Sequence, residues 1–189
     1  LSVPTFLTAY PLTRWDRHFM QMAMLVSELS KDRSTKVGCV ITTVDHVVLS
    51  TGYNGFPRGC FDEGKDLKAN QLQFGYRELD KRQAEVEARH ERPAKYLWTE
   101  HAERNAIFNL ARTGGPSLRG ARIYVPWFPC ADCARAIIQS GISEMVAYMP
   151  DFAHHKYGPE FMVAVKMFSE AGLRIRYVER LAEPEAAAA

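Results

Sequence analysis

The chain has 189 residues, with 24 Lys and Arg against 22 Asp and Glu, so its formal net charge is +2. A composition of 47% hydrophobic and 24% charged residues excludes a mainly disordered chain. The balanced charge excludes nucleic-acid binding driven by bulk electrostatics, and no run approaches the roughly 20 apolar residues that a membrane-spanning helix needs. At about 150 residues per domain, residues 1–189 are expected to form one domain.

The opening stretch LSVPTFLTAYPLTRWD lacks the basic start and continuous apolar run of a secretory signal. The expected setting is therefore a reducing one, the cytoplasm. There Cys39, Cys60, Cys130 and Cys133 are core, metal or catalytic residues rather than bridges. A helix is expected over Arg14–Lys31. Thr13 and Asp16 form a capping-box start, and Trp15, Phe19, Met22, Val26 and Leu29 recur at helical spacing. Val37–Thr43 and Val47–Thr51 read as a hairpin across Val44-Asp45-His46. Gly52 to Gly59 is turn-rich and reads as a loop.

From Asp62 to about Leu97 the composition shifts to charge, which reads as an insertion. Within it, Arg77–Arg92 is expected to be a solvated helix with the i,i+4 pairs Glu78/Arg82 and Glu85/Arg89; a lid or subunit contact is the alternative. The second half alternates. Helices are expected over His101–Arg112, Cys130–Ser140 and Glu160–Ala171, and strands over Ala121–Val125, Glu144–Met149 and Leu173–Val178. Such alternation means parallel strands joined by crossovers. With the hairpin added, the expected fold is a three-layer α/β/α sandwich around a mixed five-stranded sheet, with a frayed tail over 183–189.

The chemistry concentrates in His101-Ala102-Glu103 and Pro129-Cys130-Ala131-Asp132-Cys133. Two cysteines at i,i+3 on a helix start point their sulfurs the same way, and a helix N-terminus stabilises thiolates. With one imidazole they make three ligands for a tetrahedral zinc, which keeps its fourth position for water. Glu103 is two residues from His101, so both face the metal only if His101 sits at the start of its helix, outside the regular turns. Glu103 is then placed to shuttle protons beside the zinc water without binding the metal. A purely structural zinc site would want four protein ligands, and no further Cys or His lies close to either motif.

This combination, H-x-E followed by P-C-x-x-C, is the signature of zinc deaminases acting on nucleobases. The chain resembles the cytidine deaminase superfamily, and within it the deoxycytidylate (dCMP) deaminases. The resemblance extends to Ser30–Gly38, to the Gly52-Tyr53-Asn54-Gly55 loop, to His101–Ile107 and to the stretch from Ile123 to Gly141. It implies hydrolysis of dCMP to dUMP and ammonia: a zinc-bound hydroxide attacks C4 while Glu103 carries protons to the ring and to the leaving ammonia. It also implies that Asn54 holds the sugar hydroxyl and that the Ala102 N–H meets the pyrimidine carbonyl. Tyr148 is placed to stack on the base. Family members are often hexamers activated by dCTP and inhibited by dTTP.

Trp127 stands where dCMP deaminases usually carry an aliphatic residue, a feature of some polynucleotide-editing relatives. Arg33, Lys36, Arg58 and Lys156 are the candidate cations for the substrate phosphate, and the residues alone do not choose among them. Some members carry a second, structural zinc. Here Cys39, Cys60 and His90 are the spare ligands of the first half, and a fourth is not apparent. The alternatives to a nucleotide enzyme are a deaminase of single-stranded DNA or tRNA, a free-base deaminase such as one for guanine, and a non-catalytic zinc scaffold. The last has no use for a carboxylate at position 103.

Overall fold

The computed structural model describes residues 9–62 and 76–181. The elements in chain order are α1 (Arg14–Ser27), β1 (Gly38–Thr42), β2 (Val48–Tyr53), α2 (Tyr76–Ala88), α3 (Lys95–Trp98), α4 (Ala102–Thr113), β3 (Arg122–Val125), α5 (Ala131–Gln139), β4 (Glu144–Tyr148), α6 (Gly158–Glu170) and β5 (Arg174–Val178). The sheet runs β2-β1-β3-β4-β5. β1 pairs antiparallel with β2 and β3, and β3–β4 and β4–β5 are parallel. This is the mixed five-stranded α/β architecture expected from the alternation of elements. The frayed tail over 183–189 and the Glu78 side chain of the Glu78/Arg82 pair lie outside the described residues.

Each sheet face has its own apolar cluster. Strand alternation sends Val40, Tyr124, Val146, Tyr148 and Val178 toward α1, where Phe19, Met20 and Ala23 cover them. The intervening residues Cys39, Ile41, Ile123, Val125, Met145, Ala147 and Tyr177 face α4, α5 and α6, against Ala102, Ala106, Ala134, Ile137, Phe161 and Phe168. Glycine sets two close approaches. A Cβ on Gly52 would run into the backbone of Ala102 and Ala106, and one on Gly38 into the carbonyl of Ala23. β2 therefore lies directly against the first turns of α4.

α1 ends at Ser27, one turn before the expected Lys31. The reason is tertiary. Ser30 is buried, and its hydroxyl donates to the Asn54 carbonyl at 2.7 Å, which draws the chain out of the helix toward the 54–56 loop. The start of α1 behaves as its residues dictate. Asp16 N donates to Thr13 Oγ1 at 3.1 Å, and Thr13 N donates back to the Asp16 carboxylate at 3.1 Å, which closes the capping box.

That cap belongs to a larger charged network. Asp16, 1% exposed, receives two guanidinium bonds from Arg176, at 3.0 and 2.5 Å. Arg176 also reaches Glu144 at 2.5 Å, and Arg122 reaches the other oxygen of Glu144 at 3.0 Å. Burial pushes the Asp16 carboxyl upward, but Arg176 and Thr13 outweigh it and hold it below the ordinary value. Replacing Arg176 with Met is expected to destabilise the fold by about 3 kcal/mol, because it leaves two buried carboxylates without their shared partner. Chemical denaturation of the purified variant measures this, and an unchanged midpoint would show the network to be energetically idle.

The second half of the 62–97 insertion is docked, not merely solvated. Val86 is buried, the Arg89 guanidinium lies 3.9 Å from the centre of the Trp98 ring, and Arg33 bonds Glu87 at 2.5 Å. Glu85 and Arg89 form the expected i,i+4 pair at 2.8 Å. Charge-rich composition concealed this contact because a single buried valine and a stacked guanidinium supply it. Among the described residues, no helix is long and apolar enough to cross a membrane.

Candidate metal centre and active site

His101 is the N-cap of α4, with extended backbone angles (φ −81°, ψ 157°), and Cys130 is the N-cap of α5 (φ −71°, ψ 172°). Neither is bound by the helical repeat, so His101 turns its ring toward the same space as Glu103, and Cys130 faces Cys133 across the first turn. The His101 Nδ1 atom lies 3.4 Å from Cys130 Sγ and 3.4 Å from Cys133 Sγ. All three donor atoms fall within 4.8 Å of one another.

These separations suit zinc. With metal bonds of about 2.3 Å to sulfur and about 2.0 Å to nitrogen, neighbouring corners of a tetrahedral site stand about 3.5 Å apart. Among the described residues no other Cys, His, Asp or Glu joins this cluster, which leaves the fourth corner for solvent or substrate. Cys39 belongs to the core beneath α4, Cys60 is exposed, and His90 is engaged with the Asp62 carbonyl and the Phe56 ring. The structure does not bring these three together.

The three donors shift one another's titration. The Cys133 thiol bonds Cys130 and, with His101, brings the Cys130 thiol down to about 4, so Cys130 is a thiolate at neutral pH. The same contact, with burial and the nearby Glu103 charge, pushes Cys133 upward. His101 is raised to about 8, chiefly by its bond to Cys130, against the opposing effect of burial. Glu103 is 3% exposed. Burial lifts its carboxyl above the ordinary carboxylate range, while His101 pulls the other way.

The neighbouring loops are tied to this centre. Gly55 and Glu100 exchange backbone bonds of 3.0 and 2.8 Å, which fixes the Asn54 loop beside the start of α4. The Glu100 carboxylate accepts the His101 N–H at 3.0 Å and pairs with Arg104 at 2.5 Å. Asn54 is 6% exposed; its Oδ1 accepts from Val37 N at 2.8 Å and its amide donates to the Thr35 carbonyl at 2.9 Å. Asp32 accepts from the Asn54 amide at 3.4 Å and, on both carboxylate oxygens, from Lys95 at 2.8 Å. Lys95 and Ser34 hold its carboxyl down to about 2 against the opposing push of burial.

Glu100, Arg104, Asp32 and Lys95 are additions to the residues expected from sequence. Glu100/Arg104 is legible as an i,i+4 pair. Asp32/Lys95 spans 63 residues and carries no local signal.

The family described as "Cytidine and deoxycytidylate deaminase zinc-binding region" matches residues 13–149. The chain belongs to this deaminase family. The deaminase is 37% identical over 170 residues to an "Uncharacterized deaminase in luxG 3'region" of Aliivibrio fischeri, covering 88% of this chain and 95% of that protein. It is 34% identical over 162 residues to the human deoxycytidylate deaminase, covering 86% and 78% of the two chains. With the deoxycytidylate deaminase of phage T4 it shares 37% over 161 residues, covering 74% and 79%. Its fold matches a crystal structure of dCMP deaminase from cyanophage S-TIM5 in complex with dCMP and dUMP, with a TM-score of 0.61 at 20% identity, covering 89% of this chain and 100% of that one. Zinc is the metal of this family, and the His/Cys/Cys cluster of the deaminase fits it.

Tyr148 calls for a correction. It lies on the α1 face of the sheet, opposite α4 and α5, among Phe19, Met20, Ala23 and Val178. Its hydroxyl lies 3.9 Å from Met24 Sδ and 3.4 Å from Leu181 N. Strand periodicity decides this: Ala147 faces the helices of the metal centre, so its neighbour faces away. Tyr148 is a core residue of the far layer and not a base-stacking residue. Ala102 is buried at the first position of α4, where backbone N–H groups lack intrahelical partners. Of the candidate cations, Arg33 pairs with Glu87, Arg58 donates to Asn109 Oδ1 at 2.6 Å, Lys36 is exposed, and Lys156 bonds Tyr96.

Proposed function

We propose that this chain hydrolyses dCMP to dUMP and ammonia. The observation that carries the reading is the His101/Cys130/Cys133 cluster with its open fourth corner and the buried Glu103 beside it. The deoxycytidylate deaminases among its relatives support the substrate. His101, Cys130 and Cys133 hold the metal. A zinc ion held there supplies an acidified water as nucleophile for C4 of the cytosine.

Glu103 does the proton work. Its carboxylate takes one proton from the attacking water and delivers it to ring N3, then takes the second from the new C4 hydroxyl and passes it to the amino group as the C–N bond breaks and ammonia departs. A single carboxylate close to both water and base serves every transfer. Its raised pKa, set first by burial, suits a group that must both accept and release protons near neutrality. The Ala102 N–H at the start of α4 donates to the pyrimidine carbonyl. Asn54, its amide fixed by Val37 and Thr35, keeps one further acceptor position on Oδ1 for the sugar hydroxyl.

On the same reading residues 1–189 act as one catalytic domain enlarged by the 62–97 insertion. The protein works in the cytoplasm, where its thiols stay reduced, and it assembles as an oligomer responsive to dCTP and dTTP. The test is an ammonia-release panel of dCMP, CMP, deoxycytidine, guanine and single-stranded DNA. The expected result is strong preference for dCMP. Turnover of guanine or of single-stranded DNA ahead of dCMP would overturn the substrate, and no turnover of any member would favour a scaffold.

A further inference from the structure

Three segments meet, and two of them run directly into metal ligands. α3 leads into His101 and carries Tyr96, the loop after β3 leads into Cys130 and carries Trp127, and the loop after β4 carries Lys156 and Tyr157. All lie at the C-terminal ends of parallel strands or beside them, where open α/β sheets gather their ligands. Lys156 fastens the three together. Its ammonium donates to the Tyr96 hydroxyl and lies 4.3 Å from the centre of the Tyr96 ring and 5.0 Å from that of Tyr157. Tyr157 in turn meets Trp127 edge-on, with centroids 6.4 Å apart at 88°.

Three other cations around the centre pair with carboxylates. Arg33 has Glu87 at 2.5 Å, Lys95 has Asp32 at 2.8 Å, and Arg104 has Glu100 at 2.5 Å. Among the described residues, the partners of Lys156 are phenols and ring faces, with no carboxylate. Aromatic faces hold an ammonium in place without neutralising its charge. The structure thus sets a positioned cation, with no carboxylate partner among the described residues, where the chain segments that enter both halves of the metal cluster meet. That is the electrostatic requirement of a phosphate monoester whose base reaches inward.

We infer that Lys156 receives the phosphate of the nucleotide substrate, braced by Tyr96 and Tyr157, and so sets the preference for nucleotide over nucleoside. The inference rests on the nucleotide reading above. Lys156→Met keeps the length of the side chain and removes its charge. In the zinc-loaded full chain, kcat/KM for dCMP is expected to fall about 10- to 100-fold, the worth of a charge-assisted hydrogen bond, while kcat/KM for deoxycytidine stays at its wild-type value. Lys156→Arg should retain most of the dCMP activity. Calorimetry should show the same split, with dUMP weakened and deoxyuridine unaffected. An equal loss on dCMP and deoxycytidine, or no loss on either, overturns the assignment. A wild-type enzyme that uses deoxycytidine as readily as dCMP overturns the nucleotide reading itself, and this assignment with it.

Discussion

Glu103→Gln is expected to lower the rate of ammonia release by about 10⁴-fold, the upper end of what general acid–base catalysis contributes, with zinc content unchanged. The upper end applies because one carboxylate serves several proton transfers in the proposed reaction. Glutamine fills the same buried volume and keeps a hydrogen-bonding oxygen, but it neither takes nor gives a proton at neutral pH. Glu103 is separate from the three-donor cluster of His101, Cys130 and Cys133, so its replacement should leave the metal in place. Ammonia release and metal per chain, measured on one preparation, check both halves. Retained turnover would refute the shuttle role, and lost zinc would make Glu103 a ligand instead.

Cys133→Ala should empty the metal site and abolish activity together. The variant leaves one imidazole and one thiolate, short of the three protein ligands that catalytic zinc sites use. Its thermal midpoint should also fall, because metal bound only by the folded state stabilises that state by mass action. Elemental analysis and a melting curve decide it, and unchanged metal content would sink the ligand assignment.

The wild-type protein offers a pH signature of the same site. Metal binding requires deprotonated ligands. Cys130 is already a thiolate, brought down to about 4 by Cys133 and His101. His101 is raised to about 8 by Cys130, so below that pH the metal must displace a proton from the ring. Cys133, pushed upward by Cys130 and burial, must give up a proton to the metal throughout this range, so zinc affinity should climb with pH and most steeply below about 8, with protons released on binding, as a chelator competition at several pH values would show. Affinity that is flat between pH 6 and about 8 would contradict this ligand chemistry.

Much of this molecule could be read from local pattern. The Thr13/Asp16 cap, the strand-and-helix alternation after His101 and the i,i+3 cysteines are short-range features, and short-range physics sets them. The need for His101 to lie outside the helical turns also followed from spacing alone. The structure shows it as an extended N-cap. The helix expected over 77–92 is present but ends at Ala88, and the docking through Val86 and Arg89 carries no local signal.

What spacing could not supply was orientation relative to distant elements. Tyr148 sits at the end of a strand beside the active-site loops, yet one step of strand alternation turns it to the α1 face. Its sequence position is as compatible with one face as with the other. The same holds for Asp32 and Lys95, 63 residues apart, and for Lys156, one of four candidate cations until Tyr96 and Tyr157 close around it.

The balanced charge of +2 and the four cysteines therefore take different meanings at the two levels. By itself the sequence determined the class of chemistry, because metal ligands and their carboxylate lie within a few residues of one another on helix starts. Only the tertiary structure decided which cations pair with carboxylates and which is held by aromatic faces. Pairing of charges is a matter of through-space distance, and chain order does not encode it.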